Sequence, residues 1–178
     1  MQKKELTKQI AYAGVGGAVS LAFLMLGYVI PIGRITLYTL ACLGVMVPLA
    51  RRYFGAGLLL VVGVSILAGI LLNTAGIYFA VVSGGFTLLS LFFYMHTPER
   101  TPQKPLFWIV KGVYAVGAYF VLVWLFSIIS VVNLPTADEK TILIAGLFLA
   151  LVVAFVYDYA VTKIFAILKV RLFDRLKH

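Results

Sequence analysis

Six apolar runs follow one another along the chain with only short polar breaks: Ile10 to Ile30, Ile35 to Ala50, Phe54 to Leu72, Ile77 to Met95, Leu106 to Val131 and Ile142 to Leu168. Most are close to the roughly 20 residues that a helix needs to cross a hydrocarbon core. A segment in lipid must satisfy its backbone hydrogen bonds internally, so runs of this length become helices. The sequence therefore predicts an all-α integral membrane bundle of six transmembrane helices forming a single domain over 1–178. The second run is short and ends near Pro48 and Arg51-Arg52, which fits a tilted or partly spanning helix. The last two are long enough to tilt or to project beyond the bilayer. With 63% hydrophobic and 12% charged residues, a water-soluble domain of this size would aggregate.

The net charge of +9 would suggest nucleic acid in a soluble chain, but its distribution points to a lipid bilayer instead. Lys3, Lys4 and Lys8, Arg51 and Arg52, Arg100 and Lys104, and Lys169, Arg171, Arg175 and Lys177 all fall on one side of a six-helix topology. Arg34 and Lys140 alone fall on the other. The positive-inside rule then puts both termini in the cytoplasm and the chain in the cell membrane. The N-terminus has the basic start of a signal peptide, but its apolar run is of spanning length and reads as a retained first helix. The loop His96 to Pro105 is rich in proline and charge and belongs in water. The tail 169–178 alternates basic and apolar residues, as an amphipathic extension at anionic headgroups does.

Several chemistries lack their residues. No phosphate-binding loop G-x-x-x-x-G-K-[ST] is present, so active transport would need an energy-supplying partner. An intramembrane serine protease would use Ser83, but Val81 stands where a G-x-S-G motif needs glycine, and His96 and His178 lie outside the membrane runs. No H-E-x-x-H zinc motif occurs. Cys42 is the only cysteine and sits in an apolar run, where it serves packing; it can form no intrachain disulfide or multi-cysteine metal site. No catalytic residue, metal or cofactor is expected, and the chain reads as a non-enzyme.

Charges inside membrane runs are functional-site hypotheses by default. Gly146, Ala150, Ala154 and Asp158 recur every four residues and form one helical stripe, and Lys111, Ala115 and Ala118 form another. The two runs are antiparallel neighbours, so an Asp158–Lys111 ion pair is expected within the membrane. Such a pair can fix helix register, or Asp158 can serve an ion-coupled carrier or channel. On the outer side, Arg34, Tyr38, Asn73, Thr74, Tyr78, Trp124 and Asn133 could line a pocket for a small polar or aromatic ligand. Arg34 would pair an anionic group, the aromatics would stack and the amides would hydrogen bond. The bland alternative is an aromatic belt with turn-forming residues. In the first run, Ala13 lies over Gly17 and Gly14 over Ala18, the small-xxx-small pattern of close helix contact.

Six short-looped helices, cytoplasmic termini and this first-helix pattern resemble the substrate-binding S component of an energy-coupling factor (ECF) vitamin transporter. The resemblance implies that Ala13, Gly14, Gly17 and Ala18 dock on a transmembrane coupling subunit. It further implies that an ATPase pair powers the complex and that the S component topples in the membrane to carry a small-molecule ligand, a vitamin or related micronutrient, inward. The alternative is a structural or accessory subunit whose helix face and Asp158 stripe assemble a larger complex.

Overall fold

The computed structural model describes residues 2–30, 32–97, 105–129 and 139–169, with side chains described throughout except at 2, 3, 125–129 and 139–143. These residues are all-helical: α1 (Gln2–Val29), α2 (Arg34–Leu40), α3 (Cys42–Ala50), α4 (Phe54–Leu72), α5 (Thr74–Tyr78), a π-helical turn (Phe79–Ser83), α6 (Gly84–His96), α7 (Pro105–Ile129) and α8 (Glu139–Leu168). Among the described residues, five stretches are long and apolar enough to cross a membrane: Lys4–Val29, Phe54–Leu72, Thr74–His96, Pro105–Trp124 and Ile144–Leu168. The chain is thus a multi-pass helical membrane protein by length and composition. The second run does not form one spanning helix; it divides at Ala41 into α2 and α3. Together these cover about 25 Å at the α-helical rise, less than the roughly 30 Å core.

Helix directions follow from the contacts. Arg34 at the start of α2 reaches back to Gly27 of α1, and Arg51 beyond α3 lies over the ring of Tyr12, so α2 and α3 run antiparallel to α1. Phe54 at the start of α4 packs on Phe92 of α6 at 5.1 Å, and Phe93 stacks on Phe107 of α7 at 4.4 Å, giving successive antiparallel turns. The core lies among α1, α3, α4 and the π turn to α6, where Leu24, Val45, Leu49, Ala68, Phe79 and Leu91 are fully buried. The opposite faces are apolar and open, as at Ile70 and Ile109, which suits contact with lipid.

Two local features depart from the sequence expectation. Asn73–Gly76 is not a loop: Asn73 alone turns the chain, with φ 52°, and α5 begins at Thr74. With ψ −108° this lies outside the left-handed helical basin, in a conformation that glycine adopts more readily than asparagine. The turn is tight because Gly76 lies against the α4 backbone at Gly69 and Ser65, where a Cβ would not fit. The first run is also longer than its apolar part. Helix formers Lys and Glu with no breaker before Ile10 carry α1 back to Gln2.

Candidate functional site

The small stripes of α7 and α8 face each other across a cavity of about 300 Å³. Ala115 and Ala118 contribute from α7, Ala150 and Ala154 from α8, with Tyr119, Leu122, Val153 and Tyr157 beside them. The opposite wall is Ile35 and Thr39 of α2 together with Tyr78, Val81, Val82 and Phe86 around the π turn. Small side chains here leave space instead of bringing backbones together, because large aromatics hold the margins. At one end, the Tyr119 hydroxyl lies so close to Gly146 that a Cβ would approach it to 2.6 Å.

The π turn shapes this wall. Such turns leave carbonyls out of the regular α-helical ladder and recur at functional sites. Here, Tyr114 of α7 donates to the Val81 carbonyl at 2.9 Å and Tyr157 of α8 donates to the Ser83 carbonyl at 3.2 Å. With its proton so placed, the Tyr157 oxygen accepts from Thr87 at 2.8 Å. Across the cavity, Thr39 donates to the Ile35 carbonyl at 2.7 Å, so Tyr78 is the donor in the 3.2 Å bond between the two hydroxyls. Among the described residues, Ser83 Oγ is buried with no hydrogen-bond partner.

Beneath the cavity, Lys111 Nζ lies 2.8 and 2.9 Å from the two carboxylate oxygens of Asp158. Ser90 of α6 donates to Asp158 Oδ1, so one carboxylate ties α6, α7 and α8 together. Both charged residues are 4% exposed. A small void of about 10 Å³ touches the pair and shares Phe86, Ala115 and Ala154 with the cavity, making those residues its floor.

The first-helix residues lie elsewhere. Ala13, Gly14, Gly17 and Ala18 line an open groove of about 630 Å³ between α1 and α4, opposite Gly55, Leu59, Gly63 and Leu67. Nothing lies within 4 Å of a Cβ built on Gly14, Gly55 or Gly63. The close internal contact of α1 uses the neighbouring residues Gly16 and Ser20. Gly16 meets Gly44 of α3 backbone to backbone, and Ser20 donates to the Ala41 carbonyl at 2.8 Å.

Of the proposed outer pocket, Tyr78 alone lines the cavity among the described residues. Tyr38 is buried beside it, ring centroids 5.8 Å apart, but faces Gly27 of α1. Arg34 donates through Nε to the Gly27 carbonyl at 3.2 Å, joining α1 to α2. Asn73 and Thr74 are exposed at the α4–α5 turn, and Trp124 is 65% exposed. Asn133, Arg100, Lys104 and the tail from Val170 lie outside the described residues. The cavity sits a level deeper than the helix ends, built by Thr39, Phe86, Tyr119, Tyr157 and the alanines. Its sequence signal was the pair of alanine stripes.

No family model, curated protein or solved structure matches this chain. Fold and site together define a multi-pass helical membrane protein with a partly open, aromatic-lined cavity over a buried ion pair.

Proposed function

We propose that this protein is the membrane-embedded substrate-binding component of a small-molecule uptake system, similar to an ECF S component. On this proposal it lies in the cytoplasmic membrane as six membrane segments, with α2 and α3 serving as one, and with both termini inside. It has no catalysis of its own. The cavity among α2, the π turn, α7 and α8 carries the proposal. Its volume is at the small end of ligand pockets, and it has the largely apolar, aromatic lining with few polar groups that such pockets share. The groove of Ala13, Gly14, Gly17 and Ala18 would receive the coupling subunit, since small residues let a partner backbone approach. An ATPase pair would supply the energy.

Co-purification from the native host in mild detergent tests this. Coupling and ATPase subunits should accompany the wild-type chain and be lost from Gly14→Leu, which projects a side chain into the groove from a position whose Cβ has no atom within 4 Å. Recovery of neither from wild type removes the uptake proposal. The same open groove favours a second function, that of an accessory subunit of a larger assembly. In that case Gly14→Leu would release a complex that contains no ATPase.

A further inference from the structure

We infer that the cavity is built for an uncharged, flat, one- or two-ring molecule that carries hydrogen-bond donors, such as a ring N–H or a primary amide. This rests on the uptake proposal and adds the class of ligand. Among the described residues, no Asp, Glu, Lys, Arg or His lines the cavity. The buried charges of Lys111 and Asp158 are paired with each other below the floor. Arg34 and Tyr38 share the face of α2 turned toward α1, while Ile35 and Thr39 share the face turned toward the cavity. An ion entering this space would lose its hydration without gaining a countercharge.

The direction of the hydrogen bonds narrows the class further. The protons of Thr39, Tyr78, Thr87 and Tyr157 are committed, in order, to the Ile35 carbonyl, Thr39, Tyr157 and the Ser83 carbonyl. Tyr78 therefore presents its remaining oxygen lone pairs to an occupant, with no proton to give. Apart from the Tyr119 hydroxyl at the Gly146 end, a carboxylate or phosphate would have to compete with each of these bonds for a donor. A neutral ring bearing N–H or amide donors complements the acceptors and can lie against Phe86, Tyr78 and Tyr157, which line the cavity, by aromatic contact.

The test uses the full chain in lipid nanodiscs with two matched probe sets. These are indole-3-acetamide with indole-3-acetate and tryptamine, and nicotinamide with nicotinate. Affinities are read by calorimetry for wild type, Ala118→Trp, which fills the cavity, and Tyr78→Phe, which keeps the ring and removes the acceptor. Mass spectrometry identifies compounds extracted from wild type and missing from the variants. At least one neutral probe should bind tenfold or more tightly than its charged partners, weaken about tenfold in Tyr78→Phe and be lost in Ala118→Trp. A neutral N–H-bearing compound in the wild-type extract supports the same conclusion. A charged probe that binds as well as its neutral partner, or a charged extracted metabolite, overturns the ligand class and leaves the uptake proposal standing. A phospholipid lost selectively from Ala118→Trp, or no probe binding and no extracted compound, overturns the uptake proposal itself.

Discussion

Replacing either half of the Lys111–Asp158 pair tests how the cavity floor is held. Removing one partner leaves the other charge buried without its countercharge, with Ser90 still donating to Asp158 or the Trp108 ring still 5.1 Å from Lys111 Nζ, a loss of about 3–5 kcal/mol. Lys111→Met keeps most of the stem volume, and Asp158→Leu keeps an apolar group of similar reach. Made together, they remove both charges, and the expected result lies between neutral and about 1–4 kcal/mol more stable. Ser90, having lost its acceptor, can turn its hydroxyl to the carbonyl one helical turn back. For a chain of this size each kcal/mol is worth about 2–4 °C, so each single variant should melt roughly 6–20 °C lower while the double variant melts at or above wild type. Cys42 provides the assay. It is the only cysteine and 4% exposed, so a thiol-reactive fluorogenic dye reports its exposure as detergent-solubilised protein is heated. Single variants that lose less than about 1 kcal/mol, or a double variant as unstable as the sum of the singles, would refute a desolvated, mutually dependent pair.

Three other substitutions can be read in the same melting assay. Gly44→Val should prevent folding or lower the melting temperature sharply, because its Cβ would run into the Gly16 carbonyl and Ser20, whereas Gly14→Leu should stay within about 0.5 kcal/mol of wild type. Ser83→Ala removes a buried hydroxyl without a partner and should stabilise by up to about 1–2 kcal/mol, since an unsatisfied buried group carries its whole desolvation cost; a loss instead would mean that the hydroxyl has a partner in the membrane. Tyr157→Phe leaves the Ser83 carbonyl and Thr87 short of a partner and should cost about 1–3 kcal/mol.

The helical membrane class was legible because apolar run length is a direct reading of bilayer thickness, independent of packing. The site was only half legible. Helical spacing put Gly146, Ala150, Ala154 and Asp158 on one face, and that face is where the cavity and the ion pair lie. The stripe does not reveal whether small residues bring helices together or leave a space, because that depends on side chains from third helices. Here Phe86 and the π-turn residues from α5–α6 stand against the alanines. The π turn itself leaves little trace in sequence: Gly84-Gly85 supplies room for it, but tyrosines on α7 and α8, 33 and 74 residues away, cap its carbonyls. On α1 the same ambiguity runs the other way. Any four-residue spacing among Ala11 to Ala18 reads as a contact face, and only the position of α3 decides that Gly16 packs inside while Gly14 stays open.

The α8 stripe also limits how the cavity can open. From Gly146 to Asp158 is twelve residues, about 18 Å of rise, with the cavity between the two ends. Ile35 and Val153 on the cavity lining are exposed, so the cavity already opens outward, and widening it for a ring requires α7 and α8 to part at one end. At the Gly146 end they meet through the Tyr119 ring and hydroxyl; at the Asp158 end they meet through a two-pronged ion pair that also holds α6 through Ser90. Separating the buried charges is the costlier movement, so widening is expected at the Tyr119–Gly146 end while the ion pair stays in place. Spin labels on the exposed positions Val121 and Phe148, in a Cys42→Ser background, should therefore show a broader or shifting distance distribution when a binding probe is added. Labels at Val110 and Tyr159, beside the ion pair, should hold one distance throughout. Motion confined to the Val110–Tyr159 pair would place the entrance at the charged end and make the ion pair a gate.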